Sequence, residues 1–186
     1  MVSVAPTEPE TESEGKFTLS DNDTNTHVTL TPEPLNLRAT AKLVRSSRAG
    51  AIVMFAGTTR ESAIDDDYIV RSVAELTYSA YTPLALTTLF KIACRARDKH
   101  ELTGIAITHR IGTVAVGEES IHVAVSSPHR PSAWAAGAEA LEEVKLKAEI
   151  WKKEVFSDGA AVWRANVAPP SEDLAPVEGG AENKEG

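Results

Sequence analysis

Residues 107–130 read ITHRIGTVAVGEESIHVAVSSPHR and contain the clearest structural pattern in the chain. Apolar and polar residues alternate over 104–111 and again over 121–126, which predicts two β-strands. Residues 112–119 have the composition of a turn-containing connection between these strands. Because Pro128 interrupts the second alternation, the strand is expected to end there.

Helices and further strands are predicted on both sides of this pair. Ser132 is suited to cap a helix that ends near Lys147. Pro83 fits the first turn of another helix, which places Leu86 and Leu89 inward. The other predictions are a helix over 36–48, strands over 51–56 and 69–78, and a hairpin of strands 153–156 and 160–164 around an Asp-Gly turn. Together they predict an α+β fold, with helices interleaved with a mixed or antiparallel sheet.

Composition divides the chain into a core and two tails. Apolar residues make up 42% of the 186 residues, which is enough for one buried core. Residues 1–26 and 167–186 are acidic and contain few large apolar side chains. Such segments cannot offset their conformational entropy by burial, so both tails are predicted to be disordered. A single domain is therefore predicted over 27–166.

Charge and cysteine content exclude several classes of protein. The net charge of the chain is −8, and the two tails together carry −9, so the domain itself carries about +1. A nearly neutral domain argues against a nucleic-acid-binding surface. No run of about 18 apolar residues and no secretory signal is present, so we expect a cytoplasmic protein without membrane association. The single cysteine, Cys94, is predicted to be a small core residue, and the histidines lack metal-ligand spacing. No metal site is therefore predicted.

The strongest basic feature is a group of four lysines around Trp151, namely Lys145, Lys147, Lys152 and Lys153. One interpretation is an anion-binding patch, and the other is a solvated helix end whose lysines complement the helix dipole. A tryptophan among ammonium groups favours the first, because it predicts that the segment packs against the body of the protein. An amine held near apolar surface and like charges loses its proton more readily, which suits it to nucleophilic or acid–base chemistry.

Two more basic elements lie where a predicted strand ends. His129 and Arg130 stand between a strand and a helix, where backbone N–H groups and a guanidinium suit a phosphate or carboxylate. A histidine in this position is also common as a surface or structural residue. Arg60 follows the strand that ends near Gly57, but the surrounding residues do not match the phosphate loop of nucleotide hydrolases.

Four motifs, taken in order, resemble the large, catalytic subunit of molybdopterin synthase of the eukaryotic type. They are GAIVMFAGTTR (50–60), ELTYSAYTPLA (75–85), ITHRIGTVAVGEESIHVAVSSPHR (107–130) and LEEVKLKAEIWKKEVFSDGAAVW (141–163). The resemblance covers the whole predicted domain and neither tail. It implies the α/β-hammerhead-containing fold of that family.

The resemblance also implies a reaction and partners. Family members transfer sulfur from the C-terminal Gly-Gly thiocarboxylate of a small ubiquitin-like subunit to cyclic pyranopterin monophosphate, which makes the dithiolene of molybdopterin. Two large subunits form a homodimer with one small subunit at each end, so the expected assembly is a heterotetramer. No resident cofactor is expected. A noncatalytic scaffold that captures the Gly-Gly tail of a ubiquitin-like protein is the alternative.

Residue roles follow from the same resemblance. The two catalytic lysines of the family correspond to Lys145 and Lys152. The resemblance implies that Lys145 lies closest to the terminal carbonyl of the partner and that Lys152 assists Lys145. The substrate-binding positions fall on His129, Arg130, Arg60 and Arg164. Two departures from the family pattern stand out. Glu149 replaces a common proline and could pair with a lysine, and Ser79 replaces a common glutamate.

Overall fold

The computed structural model describes residues 10–11, 15–64 and 68–164 and confirms the α+β fold class. The described elements are β1 (Glu10–Thr11), β2 (Phe17–Asp21), β3 (Thr26–Thr31), α1 (Leu37–Leu43), β4 (Ala51–Thr58), β5 (Ser62–Ile64), β6 (Val70–Ala80), α2 (Thr82–His100), β7 (Gly104–Arg110), β8 (Gly112–Ala115), β9 (Glu119–Ser127), α3 (Arg130–Lys147), β10 (Ile150–Phe156) and β11 (Ala161–Arg164).

The larger sheet is mixed and has the strand order β1-β2-β3-β7-β9-β4. Strand β3 pairs with β7 in parallel, whereas β7–β9 and β9–β4 are antiparallel. Helices cover both faces. Gly137 of α3 lies against Val53 and Val125 on one face, whereas Thr40 of α1 bonds to His122 on the other. The core is formed by the first face with α2 and α3.

The smaller sheet has the order β11-β10-β6-β5, and β8 also pairs with β6. The hairpin of β10 and β11 closes at Ser157–Gly159, as the sequence predicted, and Gly159 has a φ of +85°. Strand β10 begins three residues after α3 ends, so this sheet is built directly onto the C-terminal end of that helix.

The prediction of a disordered segment over 1–26 is wrong for its second half. Residues of β2 pair with β3, and Phe17 and Leu19 pack against the core. Only two large apolar residues alternate with polar ones in β2. This period-2 pattern is short, so the prediction followed the acidic composition of the segment instead. The domain therefore begins before residue 27. Residues 1–9, 12–14 and the predicted tail over 167–186 lie outside the described residues.

Three element boundaries also differ from the sequence prediction. The connection over 112–119 contains β8, which gains its strand partner from β6, distant in sequence. Helix α3 begins at Arg130 with His129 at the N-cap, instead of being capped by Ser132, because Pro131 is compatible with a first helical turn. Helix α1 ends at Leu43.

Candidate active site

The two candidate catalytic lysines lie at the C-terminal end of α3. Lys145 is in the last turn of the helix, and its Nζ lies 3.0 Å from Oε1 of Glu142. Lys152 is on β10, where its Nζ lies 3.0 Å from Oε1 of Glu154. Both ammonium groups are thus anchored by carboxylates of their own segment. The short connection from α3 to β10 brings them to the same end of the molecule.

Glu154 joins two of the candidate cations. Its side chain is only 9% exposed, and its Oε2 lies 3.5 Å from Nε of Arg164 while Oε1 contacts Lys152. Arg164 is the cross-strand partner of Lys152, so the three side chains share one face of the hairpin. Sequence reasoning did not single out Glu154. Lys152 and Glu154 are two residues apart and point to the same side of β10, but the predicted strand begins at Lys153 and so leaves Lys152 out.

Tyr78 and His109 are two buried side chains that contact each other next to the backbone of Lys152. Tyr78 is the partner of Lys152 on β6, and its ring makes an edge contact with His109 at a centroid distance of 4.9 Å. Burial raises the pKa of Tyr78, and burial lowers the pKa of His109 to about 4. Both rings are therefore uncharged at neutral pH, so positive charge in this region comes from the lysine and arginine side chains.

The segment around Trp151 packs against the body of the protein through the buried Ile150 and Phe156, whereas Trp151 itself is exposed. Trp151 pairs with Ser79 on the opposite face of the sheet from Lys152, and 49% of its surface is exposed. An open cleft of about 390 Å³ is lined by Ser79, Trp151, Trp163 and Arg164. The second interpretation of the lysine group fits its helical part, since Lys147 also forms an exposed pair, at 3.1 Å from Glu143.

Arg60 lies at the same end of the larger sheet as Lys145. It follows β4 by two residues, and the preceding Thr59 is fixed by backbone hydrogen bonds to Glu118 and Gly117. Gly137 of α3 packs over Val53 and Val125, near the opposite end of β4. Eight residues further along the helix, about 12 Å, Lys145 is level with the end of β4 that precedes Arg60.

His129 and Arg130 lie at the other end of α3. His129 is the N-cap residue and Arg130 the first helical residue. Fifteen residues separate Arg130 from Lys145, which corresponds to about 22 Å along the helix. Within one chain Lys152 and Arg164 meet at Glu154, Lys145 lies at the adjoining end of α3, and Arg60 follows the end of β4. It does not bring His129 and Arg130 to them.

Within the described part of the chain, the carboxylate of Glu149 forms no ion pair with a lysine. Its Oε1 accepts a hydrogen bond from Oγ1 of Thr88 at 3.2 Å, and its backbone oxygen accepts one from the N–H of Tyr81 at 3.1 Å. Its second carboxylate oxygen is buried without a hydrogen-bond partner. The residue that replaces the expected proline thus fixes the α3–β10 connection to α2.

The described residues provide neither a metal centre nor a reactive thiol. In residues 15–64 and 68–164, no group of three or more His, Cys, Asp or Glu side chains is arranged to hold a metal ion. Burial raises the pKa of the Cys94 thiol, so this side chain remains protonated at neutral pH. Among the described helices, none combines the length and the apolar character needed to span a bilayer.

Known proteins share both the sequence and the fold. The family model described as MoaE protein matches residues 30–147, which include Arg60, His129, Arg130 and Lys145. The molybdopterin synthase catalytic subunit of Aspergillus niger is 56% identical over 142 residues, 76% of this chain and 76% of that protein. That of Phaeosphaeria nodorum is 54% identical over 140 residues, 75% and 72% of the two chains. A crystal structure of molybdopterin synthase from Staphylococcus aureus matches with a TM-score of 0.66 and 32% identity, over 73% of this chain and 94% of that one.

Proposed function

The chain belongs to the MoaE family, the catalytic subunits of molybdopterin synthase, and we propose that it transfers sulfur to cyclic pyranopterin monophosphate in the cytoplasm. The sulfur is carried by the C-terminal thiocarboxylate of a small ubiquitin-like subunit. The product is the dithiolene of molybdopterin. The observation that supports this proposal is the sharing of the buried Glu154 carboxylate by Lys152 and Arg164, on a hairpin that follows Lys145 at the end of α3.

The positive charge of this site suits two anionic reactants. A thiocarboxylate and a phosphorylated pterin repel each other, and cations fixed by Glu142 and Glu154 can hold both without reorganisation during the reaction. Lys145 is placed nearest the terminal carbonyl of the small subunit, where its amine can form an adduct. Lys152 assists by proton transfer. Arg164 and Arg60 bind the substrate.

His129 and Arg130 are proposed to reach this site from a second copy of the chain. Within one chain the length of α3 keeps Arg130 about 22 Å from Lys145, so the same copy cannot supply both. A symmetric dimer can. The proposed assembly is thus a homodimer with a small subunit at each end, and each substrate site draws on both large subunits.

Strand β4 offers the edge at which the two copies can meet. It is the outer strand of the larger sheet, it contains no charged residue, and Ile52 and Phe55 are exposed on it. Antiparallel pairing of two β4 strands puts the start of one beside the end of the other. Because Gly50 bonds to Ser127 at the start and Arg60 follows the end, this pairing brings Arg130 of one copy toward Arg60 of the other.

A noncatalytic scaffold that captures a Gly-Gly tail remains the competing function. It would use the same cleft but would not need the lysines for chemistry. The two functions are distinguished by mixing the chain with a thiocarboxylated small subunit and the pterin, and following dithiolene formation by mass.

The decisive variants in this assay are Lys145→Ala and Lys152→Ala. We expect Lys145→Ala to bind the small subunit but to form product at least 100-fold more slowly, because the amine nearest the reacting carbonyl is lost. Lys152→Ala should lower the rate less completely. Lys42→Ala, on α1, is the matched control with an exposed lysine. Near-normal product formation by Lys145→Ala would remove this residue from the mechanism.

A further inference from the structure

Two residues, Ala148 and Glu149, join α3 to β10 and thereby connect the two candidate catalytic lysines. The N–H of Ile150 donates to the carbonyl oxygen of Ala148 at 2.8 Å, which closes a three-residue turn centred on Glu149. Lys145 lies in the last turn of the helix before this connection, and Lys152 is the third residue of the strand after it. The backbone conformation at Glu149 therefore sets the direction of β10 relative to α3, and with it the separation of the two amines.

Glu149 is fixed to α2 through both its main chain and its side chain. Its carbonyl oxygen accepts a hydrogen bond from the N–H of Tyr81, the N-cap residue of α2, at 3.1 Å. Its Oε1 accepts another from Oγ1 of Thr88, two turns further along the same helix, at 3.2 Å. Because α2 is a helix of 19 residues that packs into the core, two contacts with it restrict rotation of the turn at Glu149.

The second carboxylate oxygen of Glu149 indicates that this side chain is not placed for stability alone. Oε2 is buried and has no hydrogen-bond partner among the described residues. A buried polar atom without a partner lowers the stability of a folded protein, and proteins keep such atoms mainly where the side chain serves a function. The contact of Glu149 with Thr88, at the connection between two lysines, offers that function.

We propose that Glu149 is a positioning residue of the sulfur-transfer site and that it acts through Thr88. Its carboxylate holds the turn between α3 and β10, and the turn holds Lys152 at the distance from Lys145 that the reaction requires. The proposal rests on the proposed function, because it takes these two amines as the reacting groups. Glu149 itself is directed toward α2 and takes no direct part in the chemistry.

The test compares the rates of dithiolene formation by full-length variants, with thiocarboxylated small subunit and pterin. Glu149→Ala and Thr88→Val each remove the contact between α2 and the turn. We expect each to lower the maximal rate at least 10-fold, because a small displacement of reacting groups is costly. The concentrations of both reactants at half-maximal rate should change less than two-fold, since neither variant removes a group that binds them.

Two further variants serve as controls. Glu149→Gln keeps a side-chain oxygen that can accept from Thr88, so it should retain at least half of the unaltered rate. Thr87→Val removes the neighbouring hydroxyl, which is exposed and donates within α2 to the carbonyl oxygen of Pro83 at 2.9 Å. This variant should have the unaltered rate.

Other roles of Glu149 give different results. A lower Tm with an unchanged maximal rate in both Glu149→Ala and Thr88→Val would make the contact merely structural and would overturn the proposal. A rate in Glu149→Gln as low as in Glu149→Ala would mean that the charge of the carboxylate acts in the reaction, which also overturns it. All variants are first checked for folding by circular dichroism, and Thr88→Val leaves the sequence of the connection unaltered.

A crosslinking measurement separates this proposal from the proposed function. A short amine-reactive crosslinker is added to the chain without either reactant, and the product that joins Lys145 to Lys152 is quantified by mass spectrometry. Its yield should fall at least two-fold in Glu149→Ala and Thr88→Val and stay unaltered in Glu149→Gln. An equal yield in all variants, or no such product in the unaltered chain, would overturn the proposal. If the unaltered chain forms no dithiolene, the proposed function fails, whereas the crosslink still decides whether Glu149 positions the two amines.

Discussion

Glu154 is the carboxylate that holds two cations of the proposed site in place. Its two oxygens contact Lys152 and Arg164, and the carboxylate is nearly buried. Glu154→Gln leaves both cations without their counter-charge. We expect it to lower the free energy of unfolding by about 1–3 kcal/mol, less than for a fully buried pair because both cations keep some solvent contact. Urea denaturation measures this change.

The same substitution at Glu142 is the control for Glu154→Gln. Glu142 and Lys145 form an exposed i,i+3 pair on α3, for which the change in unfolding free energy should stay within about 0.5 kcal/mol. Product formation should fall at least about 10-fold in Glu154→Gln, because Lys152 is no longer oriented. Equal stability losses at the two positions would show that Glu154 is merely one more surface carboxylate.

His109 makes stability depend on pH between about 4 and 6.5. Burial lowers its pKa to about 4 from 6.5, so in this range the unfolded chain binds a proton that the folded chain excludes. The unfolding free energy therefore falls as pH falls, with a slope of at most about 1.4 kcal/mol per pH unit from this residue. His27 adds to the slope because burial lowers its pKa also.

The variant His109→Gln isolates this contribution. Unfolding by urea at pH 4.5, 5.5 and 6.5 should give a shallower dependence than in the unaltered chain. The carboxyl groups whose pKa is lowered, such as Glu139 with Lys99 and His100 beside it, act at lower pH and remain in both proteins. An identical slope in the variant would exclude His109 as its source.

At the scale of elements, the contact of β4 with the turn before α3 fixes where His129 and Arg130 stand. A Cβ added to Gly50 would lie 2.5 Å from the carbonyl oxygen of Pro128, which is rigid backbone. We expect Gly50→Ala to lower the unfolding free energy by about 1–3 kcal/mol, because this backbone must shift. Thermal or urea denaturation checks it, together with pterin affinity, which should fall as His129 and Arg130 move.

Gly137 is the matched control for the glycine at position 50. A Cβ there would meet Val53 and Val125 at 3.9 Å, an ordinary contact. Since alanine is the better helix former, Gly137→Ala should raise the unfolding free energy by about 0.5–1 kcal/mol. Destabilisation at both positions would show that the packing of α3 on the sheet is tighter than these distances indicate.

At the scale of the whole molecule, the proposed shared site predicts recovery of activity between two inactive chains. Lys145→Ala and Arg130→Ala should each be inactive alone. In a mixed dimer one site keeps Lys145 of one copy and Arg130 of the other. Random mixing of equal amounts should therefore restore about a quarter of the unaltered activity, measured as dithiolene formation after subunit exchange.

This mixing experiment decides whether Lys145 and Arg130, at opposite ends of α3, act in the same site only when they come from different copies. No recovery, despite mixed dimers seen by native mass spectrometry, would mean that each copy works alone. His129 and Arg130 would then have no part in the site at Lys145.

Local sequence patterns were sufficient to predict those elements whose structure depends on one short segment. The β10–β11 hairpin and β9 follow from period-2 alternation and an Asp-Gly turn. The strand at Gly112–Ala115 was not predicted, because it is stabilised by pairing with β6, which is distant in sequence. The strand at Phe17–Asp21 pairs with the neighbouring β3 and was missed because the acidic composition of its segment was taken to indicate disorder. The face of the sheet that carries Trp151 was not predicted, because composition does not report which side of a sheet is covered.

The sequence by itself determined the α+β fold class, the family and the residue types that can carry the chemistry, since motif order and periodicity are local properties of the chain. Only the tertiary structure decided which of these residues meet. Helix α3 is a rigid rod, so it carries Lys145 about 22 Å from Arg130, and β10 turns Lys152 and Trp151 to opposite faces. Distances between segments are set by packing, and packing depends on the whole chain at once.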